Sequence, residues 1–206
     1  MNVVTSPARC RRQHVTVMFI DIVGYTALVE ELDCAEVRAL QMEYFARVST
    51  VVRRFGGVVE KFVGDAVLAV FGVDGDPVAA ARDAVRAGLA VQQALRGRLL
   101  AGLFTVRTRV GVATGEVIVD LDAARDGGQG MVSGRVVITA SRLQTYAPHD
   151  TVVVCAQTRQ VTDTLIAYQE LPPMAITGRP YPVELWRALS AAVPAARPAE
   201  RALVAA

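Results

Sequence analysis

The sequence predicts an α+β domain: a ferredoxin-like (βαββαβ-type) sheet with helices packed on it. Three observations point there. β-prone apolar runs and helical periods succeed one another as β-α-α-β-β-α-β-β-α-β-α-β. Two of the β-prone runs meet at a two-residue tip, Gly64-Asp65, which reads as a tight hairpin. Long amphipathic stretches separate the opening strand from that hairpin, and the hairpin from the next strands, as crossing helices do. The expectation is a sheet with its helices on one face.

The totals set the frame. A chain of 206 residues can bury one sizeable core. With 52% hydrophobic residues and a mean hydropathy of +0.34, it is a packed globular protein. No apolar run nears the roughly 18–20 residues of a membrane helix, and the richest, 66–73 (AVLAVFGV), is strand length. Cys10, Cys34 and Cys155 are odd in number, scattered and without C-x-x-C spacing. They read as free thiols of a cytoplasmic protein, which excludes a disulfide frame or a zinc site. Twenty-two basic against 20 acidic residues give no nucleic-acid stripe. The one cluster, Arg9, Arg11 and Arg12, falls in a basic, flexible leader at 1–13 without the apolar block of a secretory signal. The domain is expected at 14–189, followed by an Ala/Pro-rich tail or linker at 190–206.

Element by element, Val15 to Ile20 is an almost continuous apolar run, the mark of a strand buried on both faces. Residues 25–32 read as a short helix. Asp33 and Glu36 stand at capping-box spacing before a helix over 34–54, whose Val37, Leu40, Tyr44, Val48 and Val51 face inward. Gly56-Gly57 stops it. The hairpin strands are 58–63 and 66–71. Asp76-Pro77 opens a helix over 77–97 with an inner stripe of Val78, Ala81, Val85 and Leu89. Strands at 105–113 and 116–121 are broken at Thr114-Gly115, and 122–130 is a polar, Gly-rich loop. A helix over 135–146 turns Val136, Ala140, Leu143 and Ala147 inward and Ile138, Arg142 and Thr145 to another face. A strand at 151–155, a short helix at 157–162 and strands at 166–171, 175–176 and 182–189 complete the sheet.

The chemistry begins at Asp21, where the buried opening strand ends in a carboxylate. Taken alone it is a solvated strand end or half of a cation site, since a desolvated carboxylate needs a partner. Asp65 alone is turn chemistry. Paired beside the first strand, however, the hairpin brings Asp65 to Asp21, and two carboxylates at adjacent strand ends are what Mg²⁺ sites with phosphate ligands use. The residues after Asp21 open a helix whose amides suit a phosphate.

Five blocks, in order, carry a resemblance: FIDIVGYT (19–26), GGVVEKFVGDAVLAVFG (56–72), RVGVATGEVIVD (109–120), GRVVITASRLQ (134–144) and TGRPYPVELWRA (177–188). Together they resemble the catalytic domain of class III nucleotidyl (adenylate/guanylate) cyclases over about 14–188. The wording GGQGMVSG (127–134) is similar to the bacterial branch in which the cyclase domain precedes an ATPase region. Diguanylate cyclases and polymerase palms share the metal logic, but the Gly-Gly-Asp/Glu-Glu-Phe signature is missing and the later blocks do not fit them.

The resemblance implies a homodimer with shared active sites, making 3′,5′-cyclic AMP and pyrophosphate from ATP, with GTP as the alternative substrate. It implies two divalent ions per site, Mg²⁺ or Mn²⁺, held by Asp21, Asp65 and the Ile22 backbone. Backbone amides of Ile22, Val23, Gly24 and Tyr25 would cradle phosphates, with Thr26 and Gly64 beside them. Lys61 matches the lysine that in the family reads the adenine ring from the partner subunit, and Arg142 the arginine that stabilises the transition state. Arg125 is the nearest candidate for a second phosphate arginine. The chain departs from the family pattern at three places. Ile138 stands where an Asn orients the ribose, Met131 where adenine-selective members carry Asp or Thr, and Arg135 where an Asp is usual. Losing one positioned polar contact costs on the order of 10²–10³ in rate. The implied reading is a cyclase of reduced activity; the alternative is a degenerate, dimerising or nucleotide-binding regulatory module.

Overall fold

The structure, a computed structural model, describes residues 10–73, 75–125, 130–174 and 182–191. The expected strand at 175–176, the first five residues of the 177–188 block, most of the leader and the tail from 192 lie outside them. The chain folds as β1 (Cys10–Ile22), α1 (Tyr25–Glu31), α2 (Cys34–Arg54), β2 (Val58–Val63), β3 (Ala66–Phe71) and α3 (Pro77–Leu95). Next come β4 (Leu99–Leu100), β5 (Phe104–Thr105), β6 (Thr108–Asp120), α4 (Leu121–Arg125), β7 (Val132–Ser133) and α5 (Arg135–Tyr146). It closes with β8 (Thr151–Cys155), α6 (Ala156–Thr162), β9 (Ile166–Met174) and β10 (Val183–Ala191).

The main sheet runs β2-β3-β1-β6-β8-β10-β9, with β7 added to β6. Its first four strands, with α2 and α3 as crossings, are the expected βαββαβ unit. β1 lies centrally, antiparallel to β3 from Thr16↔Phe71 to Ile20↔Val67 and to β6 from Cys10↔Asp120 to Ile22↔Thr108. Because consecutive residues of β1 are apolar, each face of the sheet must be covered. Met18, Ile20 and Ile22 join Leu40, Tyr44 and Val48 of α2 and Ala84 and Val91 of α3 in one core. Val15 and Val17 join Val136, Ala140 and Leu143 of α5 in a second core. Helices therefore cover both faces, not one.

Local signals explain most boundaries. Asp33 caps α2 by accepting from the Ala35 and Glu36 amides at 2.7 and 2.9 Å, and Glu36 accepts from the Asp33 amide at 3.1 Å. Asp76 caps α3 above Pro77, accepting from the amides of Val78 and Ala79. The inner face of α3 is made by Ala80, Ala81, Ala84, Val85, Ala87, Gly88 and Val91, while Val78 is exposed. Small residues let this helix lie close: a Cβ on Gly88 would meet Val110 and Val152 methyls at 3.2 Å.

Four expected boundaries move. β6 is one continuous strand, because Thr114 stays in register opposite Thr16, their hydroxyls 2.9 Å apart. Gly115 serves packing, not a break: its Cβ would stand 2.9 Å from Val136 of α5. The length of β6 also gives residues 10–13 a pairing partner, so the end of the expected leader is strand, with Arg12 bonded to Glu116 at 3.0 Å. Leu121–Arg125 is helical where loop was expected, started by Asp120 accepting from the amides of Asp122 and Ala123. Phe104–Thr105 pairs with Leu99–Leu100 in a separate two-stranded piece.

Candidate active site

Asp21 is the penultimate residue of β1, and Asp65 lies at the tip joining β2 to β3. Gly64 takes φ +62° there, a conformation that favours glycine, and lets the tip fold back. The antiparallel β1–β3 register then brings the tip to the end of β1, where the Ile22 amide donates to Asp65 Oδ2 at 2.9 Å. The Asp65 carboxyl is pushed up to about 7, first by burial and then by the Asp21 carboxyl beside it, against the Ile22 hydrogen bond. Two carboxyls crowded in a half-buried place hold charge that a cation would balance. The pairing expected from sequence is present.

Around the pair, Gln41 Nε2 donates to Tyr25 Oη at 2.7 Å and to the Gly64 carbonyl at 3.4 Å, tying α1 to the tip. Tyr44 is fully buried with no partner for its hydroxyl; burial and then the charges of Asp65 and Asp21 push that hydroxyl well up. The amides expected to cradle phosphates divide. Ile22 donates to Asp65, and Val23 donates to the Arg107 carbonyl at 2.8 Å, so both are taken. What stays open is the start of α1, from Gly24 at φ +73° through Tyr25 and exposed Thr26, where a helix leaves its first amides unpaired.

Gln144 and Arg109, neither singled out in the sequence, complete the surroundings of Asp21. Gln144 Nε2 donates to Asp21 Oδ2 at 2.9 Å. Arg109, opposite Asp21 in the β1–β6 register, donates from Nη1 to the Thr145 carbonyl at 3.0 Å and reaches Asp21 Oδ2 with Nη2 at 3.9 Å. Gln144 was detectable, since it lies four residues after Ala140, at a core position where a polar side chain needs a reason.

Ile138 and Arg142, one turn apart, occupy another face of α5. Ile138 is 54% exposed and Arg142 half-buried, with no ion pair among the described residues. Lys61 stands on β2 with its Nζ 3.5 Å from Glu60 Oε1. Met131, expected at the base, is 1% exposed in the core against α5. Its neighbours explain the burial: its carbonyl accepts from the Asp120 amide as β7 joins β6, and the apolar side chain lies on the core side. Arg135 is exposed. The Arg125 side chain lies outside the described residues.

The model of the family described as "Adenylate and Guanylate cyclase catalytic domain" matches residues 8–186. The chain belongs to this family. Among curated relatives of the cyclase domain, an uncharacterised Rhizobium meliloti protein is 30% identical over 181 residues, 86% of this chain and 17% of that protein. Adenylate cyclase 1 of the same species is 36% identical over 137 residues, 65% of this chain and 21% of that one. The chain thus spans only about a fifth of the length of these relatives. Among solved structures, the adenylyl cyclase CyaB from P. aeruginosa is similar with a TM-score of 0.79 and 25% identity, over 91% of this chain and 99% of that one. The guanylate cyclase domain of RhGC from Catenaria anguillulae, solved with GTP, shares the fold with a TM-score of 0.78 at 21% identity, over 88% of this chain and 100% of that one.

Among the described residues no group of three or more His, Cys, Asp or Glu side chains is placed to hold a metal ion. Two carboxylates with a neighbouring backbone carbonyl still suit ions such as Mg²⁺, which keep several ligand positions for water and substrate phosphates. No helix among the described residues is long and apolar enough to cross a membrane.

Proposed function

We propose that this cyclase domain converts ATP, with GTP as the alternative substrate, into the 3′,5′-cyclic nucleotide and pyrophosphate at sites shared between two copies of the chain. The convergence of Asp21 and Asp65 carries the reading. In the reaction the ribose 3′-oxygen attacks the α-phosphorus, its proton is lost, and pyrophosphate leaves from the opposite side. Divalent ions, Mg²⁺ or Mn²⁺ and two per site, would be held by Asp21, Asp65 and the Ile22 carbonyl, and would acidify the 3′-hydroxyl and neutralise phosphate charge.

The other roles belong to side chains and amides. The open start of α1, Gly24 to Thr26, with Gly64 beside it, faces the phosphates. Arg142 of the second copy meets charge developing on the α-phosphate. Lys61 donates to the base, at N1 of adenine or O6 of guanine. With Met131 buried, position 131 supplies no acceptor, so discrimination between the bases is weak. Ile138 lies where the ribose is held and cannot hydrogen-bond, which slows the reaction.

Support for a second copy comes from α5 and from apolar surface. Gln144 takes the Asp21-facing side of the helix, so Arg142 cannot serve its own chain's carboxylates. Met42, Phe62 and Val63 around the hairpin and Ile138 and Tyr146 on α5 are exposed apolar side chains that a second copy would cover. The thiols of Cys10, Cys34 and Cys155 are all free, which fits a cytoplasmic site.

A second reading, a regulatory module without turnover, is favoured by Ile138 and by the burial of Met131. An assay separates the two. Purified protein with Mg²⁺ or Mn²⁺ and labelled ATP or GTP should form cyclic nucleotide that Asp65→Ala abolishes. No product above the Asp65→Ala background, with either metal and either base, supports the module.

A further inference from the structure

The chain holds 21 arginines and a single lysine, Lys61. Wherever else a positive charge is placed, guanidinium is used; at this one position an ammonium is kept. Its immediate neighbour, Glu60, is unusual in a different way. The Glu60 side chain is fully buried, and among the described residues no hydrogen bond of good geometry reaches either carboxylate oxygen; only the Lys61 ammonium and the amides of Gly130 and Met131 stand near it. A buried carboxylate without full pairing is costly, so it calls for a local reason.

Neighbouring residues of a regular strand point to opposite faces, which would separate these two groups. Here the β2–β3 register shifts between Val59 and Lys61: Val59 pairs Ala69 and Lys61 pairs Leu68, leaving Glu60 as the extra residue of a bulge. A bulge re-aims side chains. Lys61 Nζ thereby reaches Glu60 Oε1 at 3.5 Å while the lysine side chain keeps 40% of its surface open. Burial pushes the Glu60 carboxyl up, and the Lys61 ammonium and the amides of Gly130 and Met131 act against it. The carboxylate therefore lies between the hairpin and the segment entering β7, beside position 131, where the side chain offers no acceptor.

We propose that Glu60 is the positioning residue of Lys61: from the buried side its carboxylate pairs with the ammonium, which the Met131 side chain cannot do, and holds it with its remaining N–H groups directed to the purine edge. This rests on Lys61 reading the base, as in the proposed function. Glu60, being enclosed, acts through Lys61 and does not itself touch the nucleotide. An arginine at 61 is not equivalent, because its donors are fixed in one wide plane, whereas an ammonium is a compact charge with three rotatable donors.

The single lysine makes the test clean and independent of turnover. Full-length protein is labelled with an amine-reactive acylating reagent, and the Lys61 rate is read by mass spectrometry, apart from the amino terminus. In the wild type, Lys61 should react at least threefold more slowly than in the urea-unfolded chain, a comparison that needs no variant. Glu60→Gln should raise the native rate at least threefold, and ATP or GTP with Mg²⁺ should protect Lys61 in the wild type. In steady-state assays Glu60→Gln should raise KM severalfold with kcat within about twofold, and Glu60→Asp should recover part of the loss. Equal labelling of wild type and Glu60→Gln overturns the Glu60–Lys61 relation whether or not nucleotide protects. Faster labelling of the variant without nucleotide protection in the wild type keeps the ion pair but overturns the base-reading role on which the proposal rests.

Discussion

Gln144 donates from Nε2 to Asp21 Oδ2 at 2.9 Å, joining α5 to the end of β1 across 123 residues of chain. At about 100° per residue, Arg142 lies about 200° around the helix from Gln144. The contact that fixes α5 beside the carboxylate pair therefore turns Arg142 and Ile138 away from it. Each chain carries both halves of the proposed machinery, directed to different places.

Gly111 sets how closely α5 approaches the sheet. A Cβ there would come within 2.3 Å of both the Ala140 carbonyl oxygen and the Gln144 nitrogen, backbone atoms that can yield only if the helix moves. Gly111→Ala should cost about 2–3 kcal/mol, as overpacking a tight contact does, and should lower the thermal midpoint. Gly75→Ala, with nothing within 4 Å of the added Cβ, is the control and should melt with the wild type. Equal midpoints for all three proteins would show that α5 is not seated as described.

Ile138 should be correctable. If it faces the ribose, Ile138→Asn restores a hydrogen-bonding group and raises kcat about tenfold, a fraction of the 10²–10³ that one such contact can be worth. Steady-state rates with saturating ATP and Mn²⁺ give the answer. An active enzyme whose rate is unmoved by this substitution would place the ribose elsewhere.

Asp65 gives the metal-free protein a pH signature. Its folded carboxyl is held up at about 7, whereas an unfolded Asp titrates near 4. Between these values the folded chain holds a proton that the unfolded chain has released, so this group's contribution to stability falls as pH rises from about 4 to about 7. The same proton competes with a cation, so apparent metal affinity should fall by up to about tenfold per pH unit below 7. Thermal melts of wild type and Asp65→Asn in EDTA, at pH 5 and pH 8, isolate the effect. The wild type should lose stability relative to the variant on going to pH 8, and a pH-independent difference would refute it.

Much of this was legible in the residues. The hairpin, α2, α5 and β8 have the expected bounds, because strong local signals mark them: a capping box at Asp33 and Glu36, paired glycines at 56–57, and Gly64-Asp65 between two β-prone runs. The Asp21–Asp65 pairing followed from strand ends alone. What was not legible depended on distant partners. Thr114-Gly115 looks like a break until Val136 is seen crossing it. Whether residues 10–13 form strand depends on the length of β6, a hundred residues later. The second covered face was implicit in the consecutive apolar residues of β1, and only the packing of α5 displays it. Glu60 and Gln144 carry no motif; their meaning lies in burial and in what faces them.

In the proposed function the active site is complete only between two chains, and mixing two inactive variants tests this. Asp65→Ala removes a proposed metal carboxylate and Arg142→Ala the proposed transition-state arginine, so each protein alone should form no cyclic nucleotide. Co-refolded in equal amounts, half of the dimers pair one of each and hold one intact site of two, so about a quarter of wild-type activity should return. A mixture as inactive as its components, from a wild type that is itself active, would contradict the account and require Asp65 and Arg142 to act within one chain.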